Sequence, residues 1–484
     1  MRLSELFDET GMNPQAANAL EIKGLTADSR AVKPGYLFAA LPGATVDGRA
    51  FIAEAVSRGA VAVLAPPGTD VAVAVPVITD SNPRRRFALM AARYFHAQPE
   101  TVAAVTGTNG KTSVATFTQQ LWTTLGHNAG YLGTLGAWAP GLQRSGSLTT
   151  PDPVAIHELL ADMAKGGTTH LAMETSSHGL HQFRTDGVKI AIGAFTNLTR
   201  DHLDYHGSMA AYMAAKLRLF SDVMIAGSTA VLNADNSEYP AFEAACKMRD
   251  HRILSFGKAG TALTLADLRV EGDAQHLSLI VLGKRYDVRL PLAGAFQASN
   301  ALCALGCVIG SGADADRAVA ALETLRGVPG RMEQVGSSKT GAPVYVDYAH
   351  TPDALETVLV ALRPHVGHGG RLAIVFGCGG DRDKGKRRLM GERAQSLADL
   401  VFVTDDNPRT ENAAEIRTQV MQGSPRATEI ADRADAIATA IASLKAGDVL
   451  LIAGKGHETG QIVGGTVLPF NDADVARDAL KVPS

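Results

Sequence analysis

Residues 101–113 carry the feature that most limits what this chain can fold into. Val102-Ala103-Ala104-Val105 is a short apolar run, Thr106-Gly107-Thr108-Asn109-Gly110 is a small polar turn, and Lys111-Thr112-Ser113 opens a helical pattern. A buried strand that turns tightly into a helix aims backbone N–H groups and the positive helix end at one point, where a phosphate can sit. Lys111 can then reach the β and γ oxygens of a nucleotide, and Thr112 can offer its hydroxyl to a hard cation. The strict phosphate-loop spacing fails by one position, because Val105 stands where the first glycine belongs. The context still favours a nucleotide site over a plain strand-to-helix turn with a surface lysine.

Around this loop the chain alternates short apolar strands with helical stretches, which predicts α/β architecture. Its 484 residues suggest about three domains. Boundaries are placed at residues 1–97, 98–330 and 331–484, at the Gln98-Pro99 and Gly327-Val328-Pro329-Gly330 turns. The first is a small α/β unit. The central one reads as a doubly wound, mostly parallel sheet, and the last as an open sheet of Rossmann-like type. Ligands of such sheets sit at the carboxyl ends of the strands.

Composition narrows the function. Forty-six Lys+Arg against 49 Asp+Glu leave a charge of −3, and aromatics are only 5%. That argues against an NTPase acting on nucleic acid, which needs basic patches or stacking platforms. Four cysteines without a CxxC pair make no disulfide framework. The acidic N-terminus lacks a secretory h-region, and the apolar stretch Val61–Ile78 is broken by Pro66, Pro67, Asp70 and Pro76. A cytoplasmic, soluble protein without membrane insertion is expected.

Two further turns follow strand ends. Met173-Glu174-Thr175-Ser176-Ser177-His178 would project Glu174 toward a phosphate-bound cation, and Asn197 to Gly207 is dense in possible ligands, His202 among them. Either alone reads as a capping turn. Both, at successive strand ends after a phosphate loop, point to a site.

These residues, with Pro329-Gly330-Arg331-Met332-Glu333, Asp347-Tyr348-Ala349-His350-Thr351-Pro352 and Gly377-Cys378-Gly379-Gly380-Asp381-Arg382-Asp383-Lys384-Gly385, resemble the Mur ligase family. These are ATP-dependent, amide-bond-forming enzymes of peptidoglycan assembly. Asp406-Asn407-Pro408-Arg409 resembles the branch that adds the third residue of the peptide stem. Folylpolyglutamate synthetase shares the family's ATP machinery but lacks the Asp-Asn-Pro-Arg motif and this kind of N-terminal domain.

The resemblance implies a uridine-nucleotide domain, a central ATP-binding ligase domain and an amino-acid-binding domain. It implies that the γ-carboxylate of D-glutamate in UDP-N-acetylmuramoyl-L-alanyl-D-glutamate attacks ATP, and that meso-2,6-diaminopimelate then displaces phosphate from the acyl phosphate. Lys111, Lys216 and His202 become catalytic. ATP would touch Gly107, Thr108, Asn109, Gly110, Lys111, Thr112, Ser113, Asn300, Arg331 and Asp347, and His350 matches a nearby family histidine. Two Mg²⁺ ions would be held by Thr112, Glu174, His202 and a carbamylated Lys216; carbamylation converts a repelling cation into a carboxylate. The uridine-nucleotide substrate falls to Ser29, Ala44, Thr45, Val46, Thr149, Thr150, Ser176, Gln182 and Arg184. Diaminopimelate falls to Arg382, Asp406, Asn407, Pro408, Arg409, Gly454 and Glu458. Arg409 suits the far carboxylate and Glu458 the far ammonium, so a lysine-adding relative would gain nothing from Arg409. Partners are small molecules only, and the chain is expected to act as a monomer. A relative that had lost turnover would be expected to lack Lys111, Glu174, His202 or Lys216; all four are present. Arg388 stands where the family pattern has proline.

Overall fold

The computed structural model describes residues 1–7, 20–43, 46–146 and 148–481. They form two compact units, residues 1–263 with 303–318, and residues 264–302 with 319–484.

The first unit opens with four parallel strands, β1 (Gly24–Thr26), β2 (Tyr36–Ala39), β3 (Ala60–Ala65) and β4 (Val77–Thr79). Alternate residues of β2 and β3 enter different cores: Leu37, Ala62 and Leu64 on one face, Phe38, Val63 and Ala65 on the other. Both faces are covered, as expected where strands read as continuous apolar runs. Asn82 caps the helix Pro83–Phe95, accepting from the Arg85 N–H.

The second sheet of this unit carries the glycine-turned loop at residues 107–110. Its strands are β5 (Thr101–Thr106), β6 (Ala129–Gly133), β7 (Gly136–Ala139), β8 (Leu142–Arg144), β9 (His170–Glu174), β10 (Ile192–Phe195), β11 (Thr229–Asn233) and β12 (Arg252–Gly257). They lie in the order β12-β11-β10-β5-β9-β6-β7-β8, parallel from β12 to β6 and antiparallel beyond. Thus the ends of β5, β9 and β10, where the sequence places its turns, are neighbours. Asp186 accepts from Arg85 of the helix Pro83–Phe95 (3.1 Å) and from Arg218 of the helix Met209–Arg218 (2.9 Å), tying the two sheets' helices together.

The second unit begins with β13 (Leu263–Glu271), β14 (Ala274–Val281) and β15 (Lys284–Leu290), of which β14 and β15 are antiparallel. The sequence reading did not anticipate this meander. Its sheet is β16 (Glu333–Ser337), β17 (Pro343–Asp347), β18 (Leu372–Phe376), β19 (Leu400–Val403), β20 (Thr428–Glu429) and β21 (Val449–Ala453). The order is β16-β17-β21-β18-β19-β20, all parallel except β16. Tyr345, Ile374 and Leu451 pack on one face, Val344, Val375 and Leu450 on the other. A hairpin, β22 (Gly460–Val463) and β23 (Thr466–Pro469), follows. Among the described residues no helix is long and apolar enough to cross a membrane.

Candidate active site

In the first unit β5 ends at Thr106 and the helix Lys111–Thr124 starts five residues later. Gly107 (φ 149°) and Gly110 (φ 85°) make the turn, and a Cβ on Gly107 would collide with the Thr196 hydroxyl. The loop is fixed from β10's end: Thr108 N donates to Asn197 O (2.8 Å), Asn109 N to Asn197 Oδ1 (3.0 Å), and Thr196 Oγ1 to Asn109 O (2.6 Å). Thr108 Oγ1 lies 3.2 Å from the Tyr212 hydroxyl.

Two lysines meet at this loop. Lys111 Nζ donates to Gly107 O (2.9 Å) and Thr108 O (2.8 Å), and Lys216 Nζ donates to the same Gly107 O (2.7 Å). Lys216 is 1% exposed, with Nζ 4.3 Å from the Tyr212 ring centre. Burial, then the charge of Lys111, pushes its pKa well below the ordinary lysine value, against a smaller opposing pull from Asp201.

Glu174, at the end of β9, is buried and fully addressed. It accepts from Thr112 Oγ1 (3.1 Å), Thr134 N (2.9 Å), Thr134 Oγ1 (3.1 Å) and the Tyr131 hydroxyl. A side chain at Gly133 would strike this carboxylate. Thr112 and Glu174 are therefore together, as expected. His202 has φ 52° and is half exposed, its Nε2 3.4 Å from Asp201 Oδ2 and its ring 4.8 Å from His178. No hydrogen bond joins it to Glu174 or Lys216 among the described residues.

The residues assigned to the uridine-nucleotide substrate mostly gather. Thr149 Oγ1 is 3.0 Å from Thr134 Oγ1, Thr150 Oγ1 donates to Glu174 O and accepts from Ser176 N (2.9 Å), and Ser176 Oγ caps the next turn. Arg184 donates to Thr150 O (2.7 Å) and to Gln182 Oε1 (2.7 Å), and Gln182 in turn to the Tyr205 hydroxyl. Ser29 opens a short 3-10 turn between β1 and β2, donating to Glu54 (3.4 Å), and Val46 is exposed. Ala44 and Thr45 fall outside the described residues.

In the second unit, Asn300 Nδ2 donates to Gln297 Oε1 (2.9 Å), and Gln297 Nε2 to Arg331 O (3.2 Å). The Arg331 guanidinium lies 4.7 Å from the Tyr348 ring centre. Asp347 accepts from Met332 N (2.7 Å) and Ala349 N (2.8 Å). Burial raises its pKa even so, against the lowering charge of Arg331 and those two bonds. His350 Nδ1 is 2.8 Å from Tyr348 O.

The loops after β19 and β21 bring the amino-acid residues together. Asn407 Nδ2 donates to Glu458 Oε2 (2.9 Å) while its Oδ1 accepts from Lys455 Nζ (3.0 Å) and Ile462 N (2.9 Å). Arg409, in the left-handed region at φ 52°, has Nη1 bonded to Gly380 O (2.7 Å). Its backbone is held by Ile462 O and Gly464 N. Gly454 (φ 116°) passes Asp406 too closely for a Cβ. Asp406 is buried, Pro408 O lies where a Gly380 side chain would have to go, and Arg382 is exposed. Sequence reasoning missed Thr134, Tyr131, Tyr212 and three buried cations. Lys455 lies within the Gly454–Glu458 motif. Arg387 pairs with Glu411 (2.9 Å), and Arg433 pairs with Asp472 (2.7 Å). Arg388, in place of the family's proline, is exposed and pairs with Glu392 along its helix (2.8 Å).

The first unit carries a glycine-turned strand-to-helix loop beside a buried carboxylate, and the second carries its own cluster of charged and polar side chains after β19 and β21, a division of labour suited to a ligase. The chain belongs to the Mur ligase family: family models match residues 21–103 (Mur ligase family, catalytic domain), 105–308 (Mur ligase middle domain) and 330–456 (Mur ligase, glutamate ligase domain). It is 51% identical over 481 residues, 99% of each chain, to the UDP-N-acetylmuramoyl-L-alanyl-D-glutamate–2,6-diaminopimelate ligase of Chelativorans sp. (strain BNC1). A solved structure of a ligase with the same name superposes with TM-score 0.75 at 34% identity, covering 99% of this chain and 98% of that one. A Mycobacterium tuberculosis folylpolyglutamate synthase complexed with ADP and AMPPCP shares the fold (TM-score 0.64, 20% identity, 83% of this chain and 96% of that one).

Proposed function

We propose that this protein is the ATP-dependent ligase that adds meso-2,6-diaminopimelate to the D-glutamate γ-carboxylate of UDP-N-acetylmuramoyl-L-alanyl-D-glutamate, releasing ADP and phosphate. The full-length likeness to relatives named for that substrate carries the reading. The pocket of Arg409, Asn407 and Glu458 supports it, since diaminopimelate brings a second carboxylate that lysine lacks.

A carboxylate acylates poorly and an acyl phosphate well, so the first step is phosphoryl transfer, which is mostly positioning and charge neutralisation. The Gly107–Gly110 backbone and Lys111 hold the phosphates. Lys111 must then leave the loop carbonyls it now bonds. Asn300, Arg331 and Asp347 bind the rest of the nucleotide. The buried Glu174 with the Thr112 hydroxyl offers hard oxygen donors that fit Mg²⁺, with His202 completing the set; the ion would neutralise charge between the phosphates. Lys216, as an ammonium, would repel such an ion, and its lowered pKa favours the neutral amine that carbamylation requires. Thr149, Thr150, Ser176, Gln182 and Arg184, with Ser29, Ala44, Thr45 and Val46, hold the uridine-nucleotide substrate. Arg409 and Arg382 take the far carboxylate of diaminopimelate, Glu458 its far ammonium, and Asp406, Asn407, Pro408 and Gly454 shape the pocket. Domains at 1–97, 98–330 and 331–484, a cytoplasmic location and a monomeric state complete the reading, and no site residue is required from a second copy.

A panel of amino acids offered with ATP and the muramyl dipeptide nucleotide tests this. Phosphate release is expected with diaminopimelate and not with lysine; equal use of lysine would end the specificity argument.

A further inference from the structure

Lys455 is 0% exposed, yet no step of the proposed reaction uses it. Its ammonium has three N–H groups, and all are committed: to Asn407 Oδ1 (3.0 Å), Glu458 Oε2 (3.2 Å) and Gly460 O (2.6 Å). Asp406 Oδ1 lies 4.0 Å away. A buried cation is retained at a cost unless its neighbours answer it fully, as these do.

This arrangement dictates the state of the pocket around it. Asn407 Oδ1 accepts from Lys455 and from Ile462 N, so its amide nitrogen has one way to point, and it donates to Glu458 Oε2. Glu458 Oε2 is thereby occupied twice, while Oε1 takes no hydrogen bond among the described residues. The third bond, to Gly460 O, fixes the root of the β22–β23 hairpin, whose Ile462 O and Gly464 N grip the Arg409 backbone. One ammonium thus touches Glu458 directly and reaches Arg409 through the hairpin backbone.

We propose that Lys455 is a positioning residue for amino-acid selection: it turns Glu458 so that Oε1 alone faces the incoming far ammonium, and anchors the hairpin that sets Arg409 for the far carboxylate. The inference rests on the assignment of Glu458 to that ammonium.

The test is a double-mutant cycle on the purified full chain: Lys455→Met and Glu458→Gln, singly and together, with KM measured for diaminopimelate, ATP and the muramyl nucleotide. Lys455→Met is expected to raise KM for diaminopimelate roughly tenfold or more, leaving the other two within about twofold. In the Glu458→Gln background its added effect should shrink to the part carried by the hairpin and Arg409. Lys455→Arg, which keeps the charge, should recover most of the loss. Lys455→Gln, which keeps a donor for Gly460 O but loses the charge, should lose less than the Met variant and stands in for it if that variant does not fold. An unchanged KM for diaminopimelate, equal rises for all three substrates, or a full effect in the Glu458→Gln background would overturn the proposal. If Glu458→Gln alone leaves KM for diaminopimelate unchanged, it is the ammonium assignment that fails, and the proposal with it.

Discussion

At the turn after β5 the groups in place are largely backbone: two glycines and a helix N-terminus, with two lysines bonded to its carbonyls. In the cluster after β19 and β21 they are side chains, Asn407 and Glu458 oriented by Lys455 and Arg409 by the Gly380 carbonyl. The first design tolerates sequence change wherever the turn survives, and so is readable from spacing. The second depends on which partners arrive from elsewhere in the fold. Under the proposed function, one site binds a constant phosphate chain while the other tells one amino acid from its near relatives, and discrimination comes from fixed donors and acceptors.

The largest break in this contrast is expected at Arg433, which is fully buried, pairs bidentately with Asp472 and donates to Ala453 O and Asp405 O at the ends of β21 and β19. Arg433→Met leaves a buried carboxylate unanswered and should cost about 3–5 kcal/mol, read as a lower urea midpoint. An unchanged midpoint would mean the strand ends need no such tie. Next comes Glu174→Gln, which should lower kcat roughly 10²–10³-fold with KM for diaminopimelate held; a change confined to that KM would blur the two sites.

Acid probes the first unit. His157, 3% exposed and 3.4 Å from Asp186 O, has its pKa pushed down to about 4 by burial, against the carbonyl bond. Unfolded histidine takes a proton near 6.5 and the folded one only near 4, so this stability is whole above pH 6.5 and is lost as pH falls toward 4. The loss is about 3 kcal/mol. His157→Gln should flatten that part of the stability–pH curve; an unaltered slope refutes the assignment. Smallest is Arg409→Ala, which should raise KM for diaminopimelate roughly tenfold to a hundredfold and leave ATP affinity alone. Loss of ATP affinity instead would merge what the comparison separates.

Legibility follows the same division. The strand–turn–helix at Lys111 and the strand ends at Glu174 and Asp406 could be read because periodicity and turn chemistry are local. The β13–β15 meander was not read, although Gly272-Asp273 and Leu282-Gly283 punctuate it and β14 alternates in burial. Lys455, Arg387 and Arg433 were invisible for a different reason. A charged residue in a loop or helix reads as solvated, and only distant partners such as Glu411 and Asp472 make burial affordable. Lys216 would have been missed likewise without the family pattern.

The hydrogen bonds that knit Asp406–Arg409 to Gly460–Gly464 join loops 55 residues apart in the chain. A change in either loop is therefore felt in the other, so the wall they share is altered only by paired changes in two distant segments.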